Sequence, residues 1–131
     1  WKGDAGAWRH GYTYSGHAVA AAAAVANLGL VEREGLVGRV RELEPVLTQV
    51  LGQLVEHPLV DEVRSGVGLL AAVQVNPSIT PAAVSALRAR GVLTRGLADG
   101  SLQVSPPFVV TEQQLKAAAT AIWDALDDCT R

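Results

Sequence analysis

Val60-Asp61-Glu62-Val63-Arg64-Ser65, then Gly66, then Val67-Gly68-Leu69-Leu70-Ala71-Ala72-Val73-Gln74-Val75 are two short valine-rich runs set apart by one glycine. Runs of this length and composition read as two neighbouring strands, joined tightly at Gly66. Upstream, Ser15 to Gly35 is alanine-rich, strongly helix-forming and small on every face of its first half, which permits close packing. Its charged last turn and Gly35 mark the stop. In the next segment Leu36, Val40, Leu43, Leu47, Val50, Leu51, Leu54 and Val55 fall on one helical stripe, which Pro45 is expected to kink or break.

Downstream of the strand pair, Thr80 reads as a helix cap with Pro81 at the first helical position, and Gly91 closes that short helix. Val92 to Leu97 and Leu102 to Val104 read as strands around the hairpin signal Asp99-Gly100. A last helix opens at Thr111 with Gln114 three residues on, a capping-box arrangement, and is expected to bury Leu115, Ala118, Ala119, Ile122, Trp123 and Leu126. The order predicts an α+β fold, with long helices packed on one face of a small, mainly antiparallel sheet.

A chain of 131 residues with 49% hydrophobic and 18% charged residues has the composition of one globular, soluble domain. A net charge of −2, with arginines interleaved with acids or scattered, offers no footprint for nucleic acid. The single cysteine, Cys129, forms no internal disulfide, and a cytoplasmic, reducing location is the natural expectation. The first ten residues have no apolar core of an export signal. The uncharged run Gly11 to Val31 is too weakly apolar to cross a membrane and reads as a buried soluble helix. With Trp1 first and no methionine anywhere, the chain is expected to be processed, truncated or part of something longer.

The run His10-Gly11-Tyr12-Thr13-Tyr14-Ser15-Gly16-His17 leads straight into the alanine-rich helix. Free N–H groups and the positive dipole end at a helix start favour phosphate or carboxylate, and Thr13 and Ser15 add hydroxyl donors. The commoner role for Ser15 is simply to cap the helix. Arg95 ends a β-like run directly before a glycine, where a planar guanidinium suits a carboxylate. A solvated hairpin arginine is the alternative. His10, His17 and His57 lack metal-site spacing, and no second cysteine is available. Ser15 does not sit in a Gly-x-Ser-x-Gly elbow, and Gly66-Val67-Gly68 precedes a strand and lacks a phosphate-loop lysine. Ser105-Pro106-Pro107-Phe108 makes a stiff extended connector.

Taken in order, His10 to His17, Glu32-Arg33-Glu34-Gly35-Leu36, His57-Pro58-Leu59-Val60, Arg64 to Leu70, Gly91 to Arg95 and Ser105 to Glu112 resemble the class III pyridoxal-phosphate aminotransferases of the omega type. The similarity covers nearly the whole chain, which looks like the carboxy-terminal portion of such an enzyme. The resemblance implies that residues 1–35 are the end of the large-domain interface with its connecting helix. Residues 36–131 would then be the small carboxy-terminal domain of a fold-type-I transferase. It further implies that Thr13 reaches across a homodimer interface to the phosphate of the partner subunit's pyridoxal 5'-phosphate. Arg95 would pair with the carboxylate of an amino-acid or keto-acid substrate. Ser15, Gly16 and His17 are assigned to the shape of the turn, and Ala18 departs from the family's usual proline after the histidine.

The family's Schiff-base lysine, the acid facing the pyridine nitrogen and the stacking aromatic have no counterpart here. Lys2 and Lys116 are the chain's two lysines, and Lys2 lies too near Thr13 to serve. The chain by itself is therefore expected to be inactive and not to hold the cofactor tightly. Its expected partners are the missing large domain, a second subunit, and small amine and keto-acid substrates, without nucleic acid or membrane. The alternative is a free-standing, non-enzymatic α+β module that binds a small acid or a protein partner.

Overall fold

The computed structural model describes residues 11–130, and the chain divides into two compact units, Trp1–Glu34 and Gly35–Arg131. Helix α1, Ala18–Arg33, belongs to the first. Its N-cap is His17, not Ser15: Nδ1 of His17 accepts from the Ala20 N–H at 3.2 Å. The Ser15 hydroxyl is engaged instead with the Tyr12 N–H, and Gly16 at φ 80° holds the chain out of helical geometry until Ala18. Ala18 is thus the first helical position, the one where proline's fixed φ is favoured. No residue of α1 is buried within residues 11–130. Its alanines and valines surround the axis and make no apolar stripe.

The second unit starts with α2, Leu36–Gly52, which continues unbroken through Pro45. An interior proline costs about 3 kcal/mol. Leu43, Leu47, Val50 and Leu51 are buried on the stripe, and about 1.5–3 kcal/mol for each such side chain outweighs that cost. A 3-10 turn, Gln53–Glu56, then ends the stripe: Leu54 is buried, but Val55 is 53% exposed.

Strands β1, Val60–Val67, and β2, Leu70–Val75, pair antiparallel as expected, but the joint is not at Gly66. Gly66, at φ 93°, lies within β1 where the register shifts between Arg64 and Val67, the signature of a bulge. The turn falls at Gly68 and Leu69, where the Gly68 N–H donates to the Glu44 carboxylate of α2 at 2.6 Å. Helix α3, Thr80–Ala89, begins one residue off the expected cap, with Ile79 at the N-cap and Thr80 buried. Its end is a Schellman closure, with the Gly91 N–H on the Arg88 carbonyl and the Val92 N–H on the Leu87 carbonyl, both at 3.0 Å.

Strand β3 is only Arg95–Gly96, far shorter than the expected run from Val92, because Val92 is committed to the helix closure. Strand β4, Ser101–Val104, completes an antiparallel sheet in the order β1-β2-β4-β3. Ala71, Val73 and Val75 of β2 are buried, whereas Leu70, Ala72 and Gln74 are not, so one sheet face carries the core. Helix α4, Glu112–Asp128, opens on the expected capping box of Thr111 and Gln114. It buries Leu115, Ala119, Ile122, Ala125 and Leu126, while Ala118 and Trp123 are half-buried. The core is thus shared by α2, α3, α4 and the inner face of the sheet, the α+β architecture expected.

Candidate functional site

Thr13 stands in a tight turn closed by the Ser15 N–H on the Tyr12 carbonyl at 2.9 Å and the His17 N–H on the Tyr14 carbonyl at 3.2 Å. Those bonds use the backbone and the Ser15 hydroxyl, and the Thr13 side chain makes no hydrogen bond among the described residues. His17 takes the Ala20 N–H on its ring and the Ala21 N–H on its carbonyl. A helix start capped by one side chain still carries a positive dipole end. The donors here are one free hydroxyl and a helix N-terminus, a set suited to an anionic oxygen. His10, the first residue of the motif, lies outside the described residues.

Arg95 lies in the second unit, on the edge strand β3, with Gln103 of β4 as its cross-strand neighbour. Ala72 of β2 and Arg64 of β1 continue the same row, so Arg95 shares the sheet face opposite the core with them. Its guanidinium makes no hydrogen bond or ion pair among the described residues. Beside it, Gly91 to Arg95, Leu102 to Pro107 and part of α4 line an open groove of about 590 Å³, floored by Leu87, Leu102 and Ile122. An always-charged planar fork left unpaired on an exposed sheet face can receive a carboxylate in two parallel hydrogen bonds. Thr13 and Arg95 belong to different units.

Three features were beyond sequence reasoning. Arg64 gathers Glu62 at 2.6 Å, Ser101 at 2.7 Å and Gln74 at 3.2 Å, tying three strands together across the outer sheet face. At the same place the Ser101 backbone N–H, then its hydroxyl, and then Arg64 hold the Asp99 carboxyl below the usual carboxylate range. The second feature is the Thr94 hydroxyl, which donates to the Gln103 carbonyl at 2.6 Å. The third is buried His57, whose Nδ1 accepts the Leu59 N–H at 3.1 Å, so that Nε2 carries the proton toward Asp127 at 3.2 Å. Trp123 meets the His57 ring edge-on at 4.8 Å. His57 therefore has a structural role, fixing the end of the 3-10 turn to α4. In the sequence His57 stood out only as a dismissed metal ligand and as part of the His57-Pro58-Leu59-Val60 stretch, and neither announces its partner Asp127.

Among the described residues no cluster of His, Cys, Asp and Glu is able to hold a metal, and no helix is long and apolar enough to cross a membrane. Burial first, and the Asp128 charge second, push the Cys129 thiol up. Lys116 is exposed on α4, and Lys2 lies outside the described residues.

The family described as Aminotransferase class-III matches residues 3–126. Among curated relatives, a putrescine–pyruvate aminotransferase of Pseudomonas aeruginosa is 34% identical over 93% of this chain and 29% of its own length. An acetylornithine aminotransferase of Mycolicibacterium smegmatis is 36% identical over 90% of this chain and 30% of its own. Of solved structures, the omega transaminase of Pseudomonas jessenii in complex with PMP superposes with a TM-score of 0.83 at 32% identity. That match covers 95% of this chain and 30% of that one. The chain spans roughly 30% of the length of the relatives it matches.

Proposed function

The chain belongs to the class-III aminotransferases, and on that premise we propose that it is the carboxy-terminal portion of a pyridoxal-phosphate enzyme moving an amino group between an amine or amino acid and a keto acid. The observation that carries this reading is a family match running almost end to end through a chain that spans only about 30% of its relatives. In this reading residues 1–35 end the large-domain interface, and residues 36–131 form the small domain.

The free donors among the described residues fit the chemistry of the cofactor and the acid substrate. Thr13 gives a hydroxyl hydrogen bond to a cofactor phosphate held by the partner subunit, at a helix start whose dipole favours the anion. Arg95 binds the carboxylate of the acid substrate and orients the reacting carbon. When bound, the cofactor supplies the electron sink for the chemistry. Neither Thr13 nor Arg95 moves the substrate proton. That task belongs to a lysine outside this chain, because Lys116 lies exposed on α4 and Lys2 is too near Thr13 in sequence. Residues 1–131 alone are accordingly inactive.

The test is Arg95→Ala in the full-length enzyme, with kcat and KM measured for a keto acid and for an amine lacking a carboxylate. Losing a charge-assisted fork of about 1.5–3 kcal/mol raises the keto-acid KM roughly 10- to 100-fold and leaves the amine nearly unchanged. Equal losses for both substrates would remove the carboxylate role.

A further inference from the structure

We propose that Thr94 and Gly96 are positioning residues that set the Arg95 guanidinium for its carboxylate, an inference that rests on the carboxylate role of Arg95. The side chain of Arg95 has no hydrogen-bond or ion-pair partner among the described residues, so its backbone is the anchor from which the guanidinium reaches. That backbone is a two-residue edge strand paired on one side only. So short a ladder holds poorly by itself.

Two contacts make up the deficit, one on each side of Arg95. Before it, the Thr94 hydroxyl donates to the Gln103 carbonyl at 2.6 Å, so a side chain extends the attachment to β4 beyond the strand. After it, Gly96 lies directly against the first turn of α3. A Cβ at Gly96 would stand 2.5 Å from Cγ2 of Thr80 and 3.2 Å from Cγ2 of Val84. Thr80 has little freedom to yield: it is 6% exposed and β-branched, and its hydroxyl faces the Asn76 and Gly100 carbonyls at 3.4 and 3.5 Å. Glycine therefore lets β3 rest on α3, and any larger residue lifts it off. Displacing a substrate-positioning group by about 1 Å costs on the order of a hundredfold.

The experiment compares Thr94→Val, Thr94→Ser and Gly96→Ala in the full-length enzyme, using a keto acid and an amine without a carboxylate. Thr94→Val keeps the shape of the side chain and removes its hydrogen bond. Its keto-acid KM rises about tenfold while kcat and the amine KM stay within about twofold, and Thr94→Ser restores the parent value. Gly96→Ala raises the same KM by about a hundredfold. Equal changes for both substrates, or a Thr94→Val enzyme that matches its parent, overturn the proposal. Arg95→Ala in the same assay separates the two levels. If it leaves the keto-acid KM intact, the carboxylate reading itself fails. If it raises that KM while Thr94→Val does not, only the positioning role fails.

Discussion

Thr13 and Arg95 share one property: each presents a hydrogen-bond donor that no described residue uses. Residue type and local context raised both, a hydroxyl before a helix and a guanidinium before a glycine, beside the plainer readings of a helix cap and a solvated arginine. The roles proposed for them rest on the family resemblance. The cap was not legible, because Ser15 and His17 compete for the same role and the outcome depends on Gly16 at φ 80°. Arg64 was equally invisible, since its partners come from β2 and β4 and no local pattern announces them. At this scale the expected result concerns Thr13→Val, which removes the hydroxyl and keeps the branch. In the full-length enzyme it weakens cofactor binding roughly tenfold or more, the worth of a hydrogen bond to a charged group. Titration of the apoenzyme with pyridoxal 5'-phosphate measures it, and an unchanged dissociation constant would exclude Thr13 from phosphate binding.

At the scale of elements, what was legible followed from how local each signal is. The capping box of α4 needs only Thr111 and Gln114, three residues apart, and it forms as read. The stripe of α2 was legible too, but its passage through Pro45 was not, because burial of Leu43, Leu47, Val50 and Leu51 against the rest of the unit decides it. The length of β3 depends on how α3 closes and on Thr94, both tertiary matters. Helix α4 allows its two kinds of support to be ranked. Leu126 is fully buried, so Leu126→Ala costs about 2–5 kcal/mol. Thr111→Ala removes a cap and costs about 1 kcal/mol. Denaturant unfolding checks the order, and a cap variant at least as costly as the core variant would reverse it.

For the whole molecule, the α+β class was legible because the strand runs, helix stops and turn glycines agree along the chain, and such consistency across levels specifies a fold. What covers α1, none of whose residues is buried within residues 11–130, was not, because helix propensity says nothing about what a helix packs against. The family match ties that fold to an enzyme class, and the chain's span of 29–31% of its relatives points to a longer parent. The direct measurement is the mass and amino-transfer activity of the native polypeptide carrying this sequence, assayed beside purified residues 1–131. The expected result is a native chain about three times the 13.7 kDa of this one, active with an amine and a keto acid, and no transfer by residues 1–131. A native polypeptide of 13.7 kDa, or amino transfer by residues 1–131 alone, would contradict it.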